Sequence, residues 1–381
     1  MKIIHLVNSH VGKVGNIGMR TEKILIDDQS GFHNILCVCR GYQEKRLHVS
    51  YVSMGLLGSF SRILNGFRIY LLPSFPHRVI DKLIFEFFCI IVLRRKNYDN
   101  FIIHLWDPCP NLIDWLQKRG AIVILDVCMA PNKFFEHLSS LGILKLYQPS
   151  KFISNSELKA FSKADFIIAP SVFVAKLLIK EKIERKKISV IPFGVDLHTE
   201  KKLLKKDNKS VSFCFIGNIN ERKGIEFLLS AWESGSFKKD KLHLCGRIFP
   251  ECKSILKASR NIHNIQLHGF VDISSILPFS DVFVFPSLAE GSSKVIYEAM
   301  SYGLPIITTE NSGSVVRNGV DGFIVEAGNS RELQEKMIYL RNNAQIRAEM
   351  GKNARNRIKS FSWNKYSSNV YKLYSNIMQS S

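Results

Sequence analysis

Long apolar runs are missing from this 381-residue chain. No stretch approaches the roughly 18–20 uncharged apolar residues of a bilayer-spanning helix. The closest, Leu83 to Leu93, is eleven residues long and is interrupted by Glu86. The sequence therefore predicts no membrane span. The start, Met1-Lys2-Ile3-Ile4-His5-Leu6-Val7-Asn8, lacks the extended apolar region and cleavage site of a secretory signal and reads as a first buried strand.

Patterned cysteine is missing as well. The eight cysteines, Cys37, Cys39, Cys89, Cys109, Cys128, Cys214, Cys245 and Cys252, form no C-x-x-C pair and no cluster with histidine. Zinc sites and disulfide frameworks both need such spacing. Inside runs such as Phe213-Cys214-Phe215 a free thiol behaves as a small hydrophobe. A reducing compartment, the cytoplasm, is the expectation. No Asp-x-Asp loop offers a pair of carboxylates to a divalent ion, so neither a metal nor another cofactor is expected.

Acid is scarce: 33 Asp+Glu face 53 Lys+Arg, a formal net charge of +20. With 46% hydrophobic residues the chain is too apolar for a disordered basic tail. Such an excess of base suits nucleic acid, an anionic membrane or a phosphorylated small molecule. No nucleic-acid motif is visible and the basic residues spread over both halves, so nucleic acid stands as a distant rival and is not an expected partner.

What is present is alternation. Apolar runs at Lys2–Val7, 34–39, 101–104, 121–125, Phe166–Ala169 and 188–191 are separated by helical periodicity at 21–28, 112–118 and Val172–Lys180. Continuous apolar strands separated by helices predict a parallel sheet buried on both faces. A polar, lysine-rich stretch at 200–210 is the best linker, and the alternation then restarts at 211–216. The second half repeats the pattern, with strands at 241–245, 265–267, 282–286, 305–308 and 322–325 and helices at 225–232, 295–301 and 330–340. Two more amphipathic helices follow, at 344–360 and 364–378. The expected architecture is α/β, two doubly wound Rossmann-like domains facing across a cleft. Residues 1–195 form the first, 196–360 the second, and 361–381 a helix returning to the first. Open α/β sheets bind ligands at the carboxyl ends of their strands.

Four segments of the second half point to the same chemistry; two of them, Leu267-His268-Gly269-Phe270-Val271 and Pro305-Ile306-Ile307-Thr308-Thr309-Glu310-Asn311-Ser312-Gly313, put glycine or small polar residues just past a strand, where a planar base or a phosphate can approach the backbone. Phe215-Ile216-Gly217-Asn218-Ile219-Asn220-Glu221-Arg222-Lys223-Gly224 runs from a strand through a glycine turn and adjacent cations into a helix. A helix start and a lysine together suit a phosphate, although a solvated loop would look the same. Leu288-Ala289-Glu290-Gly291-Ser292-Ser293-Lys294-Val295-Ile296-Tyr297-Glu298 puts two carboxylates on either side of a Gly-Ser-Ser turn. Glu290 and Glu298 can line one ligand site, with the backbone N–H groups of Gly291, Ser292, Ser293 and Lys294 as anion donors between them. For Glu298 alone, a solvated helix position explains the residue equally well.

Taken in order, these segments resemble the retaining glycosyltransferases of the family-4 type, which have the GT-B fold. The shared pattern appears here as Gly217 to Gly224, Gly269-Phe270-Val271, Pro286-Ser287-Leu288-Ala289-Glu290-Gly291, Glu298-Ala299-Met300-Ser301-Tyr302-Gly303-Leu304-Pro305 and Gly319-Val320-Asp321-Gly322. The resemblance implies transfer of a sugar from a nucleotide sugar to a hydroxyl, with configuration kept and no metal. It places Lys223 at the donor diphosphate, Glu290 at the hydroxyls of the transferred sugar, Glu298 at the ribose and the Phe270–Val271 backbone at the base. Gly15, in the loop His10–Gly18 after the first strand, would approach the donor phosphate or the acceptor.

Two positions depart from the pattern. Asn218 stands where the family has a phosphate-binding arginine, and Arg222 is the nearest substitute. Asp126 stands where the family often has histidine after the fourth strand, which would make it a catalytic proton acceptor or charge stabiliser. His104 and Trp106, at another strand end, are candidates for the acceptor side; core packing accounts for Trp106 equally well. A catalytically weak nucleotide-sugar-binding or scaffold subunit of the same fold stays open because of Asn218.

The acceptor is sought in residues 59–96, where Arg62, Arg68, Arg78, Lys82, Arg94, Arg95 and Lys96 interleave with aromatic and aliphatic residues. That pattern suits a helix lying on an anionic membrane, or a core helix with a solvated basic face. On the membrane reading, the protein is peripheral on the cytoplasmic face. A lipid-linked glycan, as in O-antigen or capsule-like polysaccharide synthesis, becomes the natural acceptor.

Overall fold

The computed structural model describes residues 2–12, 16–26, 35–46, 48–59, 63, 79–94, 97–146, 150–197, 210–235, 237–253 and 264–380. Gly15, most of the 59–96 segment and nearly all of the 200–210 linker lie outside them. The chain divides into two compact units. One comprises Met1–Glu136, Pro149–Ile191 and Asn364–Ser381, the other His137–Gln148 and Pro192–Trp363. The first boundary thus falls four residues before the expected 195. A short internal segment also belongs to the second unit, which nothing in the sequence marks.

The first unit is built on a parallel sheet of seven strands: β1 (Lys2–Val11), β2 (Ile35–Tyr42), β3 (Val49–Ser53), β4 (Phe101–Leu105), β5 (Ile122–Asp126), β6 (Phe166–Ala169) and β7 (Ile188–Val190). Their order is β3-β2-β1-β4-β5-β6-β7. Central strands such as β5, Ile-Val-Ile-Leu-Asp, are buried almost throughout, as helices on both faces require. Edge strand β3 escaped the sequence reading because Val-Ser-Tyr-Val-Ser is short and half polar, as suits an edge with one buried position.

The second unit has six parallel strands: β8 (Ser212–Ile216), β9 (Lys241–Cys245), β10 (Ile265–Gly269), β11 (Val282–Phe285), β12 (Ile306–Thr309) and β13 (Gly322–Val325). They run in the order β10-β9-β8-β11-β12-β13. In both sheets the order reverses beside the first strand, between β1 and β4 and again between β8 and β11. A crevice opens at such a point because the two flanking connections leave to opposite sides of the sheet.

From Asn364 on, the helix Trp363–Ser380 completes the first unit. Tyr366 and Tyr374 are fully buried there, and Tyr371 donates to the carbonyl of Ile24 at 2.8 Å. All eight cysteines are free and all but Cys128 are buried. Among the described residues no helix is long and apolar enough to cross a membrane.

Candidate active site

The reversal point of the second sheet is where the chemistry collects. β8 ends at Ile216 and leads through Gly217 into a turn at Glu221–Lys223, capped by the Asn220 side chain, which accepts from the Lys223 N–H. Gly224 then turns the chain with φ 70° into the helix Ile225–Ser234. Any side chain there would have its Cβ 2.0 Å from the carbonyl oxygen of Pro286, so glycine lets the β8 and β11 loops touch.

The β11 loop is gripped from both sides. Leu288 N donates to Arg222 O at 2.9 Å, and Thr309 Oγ1 donates to Ser287 O at 2.6 Å. Asn311 Nδ2 donates to Leu288 O, and Glu290 N to Asn311 O, both at 2.9 Å. These contacts hold Glu290 against the cations. Its Oε1 accepts from Lys223 Nζ at 2.5 Å, Arg222 Nη1 at 2.5 Å and Ser287 Oγ at 2.9 Å. Its Oε2 accepts no hydrogen bond among the described residues. One carboxylate oxygen is therefore saturated while its twin keeps its lone pairs.

Electrostatics match this geometry. Burial pushes the Glu290 carboxyl up, but Lys223 and then Arg222 outweigh it and the group lies below its ordinary range. Burial pulls the Lys223 ammonium down, and Glu290 only partly restores it against the repulsion of Arg222. Lys223 Nζ also lies 4.8 Å from the centre of the Phe285 ring. Two cations and one anion leave a net positive charge in a largely desolvated place, which favours an incoming anion.

Downstream, Ser292 and Ser293 precede the helix Lys294–Ser301. Ser293 Oγ is buried and has no hydrogen-bond partner among the described residues, while Ser292 Oγ meets Tyr297 OH at 3.1 Å. Glu298 pairs with Lys294 at 2.8 Å on the first turns of the helix. Lys223, Arg222 and Glu290 are thus brought together, with the 291–298 segment following directly. Asn218 is exposed and makes no side-chain hydrogen bond among the described residues. Phe270, directly after β10, is 92% exposed. Asn311, in the 305–313 segment, completes the cluster together with Ser287 and Phe285, to which the sequence reading gave no role. A small polar or aromatic residue beside a strand end is too common to signal a site.

The first unit overturns the role expected of Asp126. Its carboxylate is completely enclosed, with Arg20 Nη2 at 2.7 and 2.8 Å from its two oxygens and His104 Nε2 at 3.3 Å. Arg20 in turn donates to Tyr366 OH at 3.1 Å and lies over the Trp106 ring. A carboxylate walled in by arginine, histidine and tyrosine reaches no substrate hydroxyl. The acceptor-side expectation for His104 and Trp106 fails for the same reason. His104 is fully buried between the His5 and Trp106 rings and meets Tyr374 OH at 2.5 Å, and Trp106 is 2% exposed. Side chains at these strand positions face the covering helices.

Two doubly wound parallel sheets, each with its crevice at the reversal point, define the GT-B class of fold. The family described as "Glycosyl transferases group 1" matches residues 210–343, and "Glycosyltransferase Family 4" matches residues 33–199. The chain belongs to these glycosyltransferases. It is 28% identical over 230 residues to the capsular polysaccharide biosynthesis glycosyltransferase CapM of Staphylococcus aureus, covering 55% of this chain and 60% of that one. It is 30% identical over 204 residues to the UDP-Gal:alpha-D-GlcNAc-diphosphoundecaprenol alpha-1,3-galactosyltransferase of Escherichia coli, covering 48% of this chain and 52% of the other. The matches thus span little more than half the length of these relatives. Among solved structures, sucrose-phosphate synthase from Thermosynechococcus elongatus superposes over the whole of both chains with TM-score 0.76 at 17% identity.

Proposed function

We propose that this protein moves a sugar from a nucleoside-diphosphate sugar to a hydroxyl of a lipid-linked glycan acceptor, retaining the anomeric configuration and using no metal. The carrying observation is Glu290, whose Oε1 is fixed by Lys223, Arg222 and Ser287 while Oε2 keeps its lone pairs. Oε2 accepts from a hydroxyl of the transferred sugar, and Glu298 from the ribose. Lys223, the unpartnered Ser293 Oγ and the backbone N–H groups of Ser292 and Lys294 receive the diphosphate, while the Ser293 N–H is spent on Ser312 O at 3.1 Å.

The bond between the anomeric carbon and the phosphate oxygen breaks, and negative charge grows on the diphosphate. A fixed ammonium stabilises that charge without rearrangement during the reaction. The acceptor oxygen bonds to the same face, and its proton passes to the departing phosphate oxygen. The capsular relative and the relative acting on a diphosphoundecaprenol-linked sugar support the choice of acceptor.

Membrane attachment on the cytoplasmic face fits the helix Val79–Leu93, whose Leu83, Phe87 and Ile91 form an exposed apolar stripe at four-residue spacing. Of the basic residues expected beside it, Lys82 turns inward to the carbonyl of Pro108. Arg94 is exposed, and Arg62, Arg68, Arg78, Arg95 and Lys96 lie outside the described residues.

The decisive assay presents UDP-, GDP- and dTDP-sugars with polyprenyl-diphosphate-linked acceptors and reads the new linkage by NMR, with and without EDTA. Transfer with retained configuration in EDTA is the expected result. Absence of transfer from every donor, an inverted product, or loss of activity in EDTA would overturn the corresponding part.

A further inference from the structure

Arg222 is bound to the β11 loop by its backbone and its side chain at once. Its carbonyl accepts from Leu288 N at 2.9 Å, while Nη1 donates to Ala289 O at 2.7 Å and Glu290 Oε1 at 2.5 Å. Its Nε and Nη2 donate to nothing among the described residues, and the side chain remains 22% exposed. A guanidinium locked through one nitrogen, with its other donors unspent beside a buried lysine, is already oriented for a second acceptor. Its planar fork matches paired phosphate oxygens.

Position 218 does not compete for this task. Asn218 carries no charge, is exposed, and makes no side-chain hydrogen bond among the described residues. Its short side chain also lacks the reach of an arginine from the same backbone position. Lys223 and Arg222 carry two positive charges against the one negative charge of Glu290, so the place keeps a net positive charge for an incoming diphosphate.

Resting on the donor reading above, we propose that Arg222 supplies the second cation of the diphosphate site. The positive charge that Asn218 lacks is supplied here from the position before Lys223, where Glu290 Oε1 holds both cations in place for the donor.

The test is UDP binding to the full-length protein by calorimetry at two salt concentrations, with GDP and pyrophosphate as further probes. Arg222→Gln keeps a donor for Ala289 O but removes the charge. It is expected to weaken UDP binding about ten- to hundredfold, as loss of a charge-assisted contact does, and to flatten the salt dependence at an unchanged melting temperature. Arg222→Lys recovers most of the affinity, and Asn218→Ala changes it less than about threefold. UDP binding by Arg222→Gln within about threefold of the parent protein overturns the proposal, as does a larger loss from Asn218→Ala. If the parent protein binds none of the three probes, the donor reading falls first and this proposal with it.

Discussion

Arg20 and Asp126 form an ion pair with no solvent exposure on either side chain, one guanidinium nitrogen lying 2.7 and 2.8 Å from the two carboxylate oxygens. Burial opposes the charge on Arg20, but Asp126 outweighs it and holds the guanidinium protonated. The pair joins the helix Asn16–Ile26 to the end of β5, with the C-terminal helix closing over it through Tyr366. Removing one partner strands a charge in the core, which costs about 3–5 kcal/mol. Asp126→Asn is expected to lose stability of that order in urea titrations. Folded Asp126→Asn protein assayed at low temperature should keep near-parental turnover, and a loss of turnover far beyond the unfolded fraction would restore a catalytic role.

Glu290 lies at the other extreme, since its neighbours hold it ready rather than enclose it. Glu290→Gln and Lys223→Met are each expected to lower kcat/KM about 10²–10³-fold, the usual cost of losing a group that meets developing charge. Glu290→Gln should also lower stability, since it leaves Lys223 and Arg222 unpaired, but less than Asp126→Asn does, because both cations are partly exposed and the loop is also held by Asn311 and Thr309. Steady-state kinetics beside thermal melting separates the two effects.

His5 and His104 make the first unit sensitive to acid. Burial lowers both imidazoles below their ordinary 6.5, with each other's proximity adding to the effect on His5 and Asp126 partly offsetting it for His104. Above that value both are neutral whether the chain is folded or unfolded, so stability does not depend on them. Below it the unfolded chain takes up protons that the folded chain refuses. Stability then falls by up to about 1.4 kcal/mol per pH unit for each histidine. Urea midpoints between pH 7.5 and 5.5 should fall accordingly, and His5→Phe should flatten the slope; a flat parental profile would contradict this account.

Gly224 adopts φ 70° with the Pro286 carbonyl where a Cβ would go. Gly224→Ala is expected to destabilise by more than about 1 kcal/mol and to weaken UDP binding by displacing Lys223. Parental affinity in that variant would mean that the two loops need not touch.

The exposed stripe on the helix Val79–Leu93 gives a membrane test. Leu83→Ser, Phe87→Ser and Ile91→Ser combined should reduce co-sedimentation with anionic vesicles while leaving transfer to a soluble acceptor analogue intact. Equal sedimentation of parent and variant would remove the stripe from the membrane reading.

Much of this molecule was legible before any coordinates. Strands such as Val282–Phe285 are continuous apolar runs closed by proline, so burial on both faces is written locally. The ordered motifs around Lys223 and Glu290 were equally plain, because a site at a strand end gathers residues close together in sequence. What escaped depends on distant partners. Asp126 read as a catalytic candidate since nothing near it announces Arg20, 106 positions earlier, or Tyr366, far downstream. Residues 137–148 carry no compositional mark, yet Lys145 N and Leu146 N both donate to the Glu221 carboxylate, at 2.5 and 3.0 Å.

The contribution of Tyr366, Tyr371 and Tyr374 to the first unit sets an order of assembly. During synthesis the opening strands leave the ribosome first, but Arg20, His104 and Asp126 meet their tyrosine neighbours only after the second unit has been translated. Until then the nascent sheet carries a polar interior with its lid missing. The first unit is therefore expected to complete its fold only once residues 364–380 have been translated, later than the second unit, whose residues precede them.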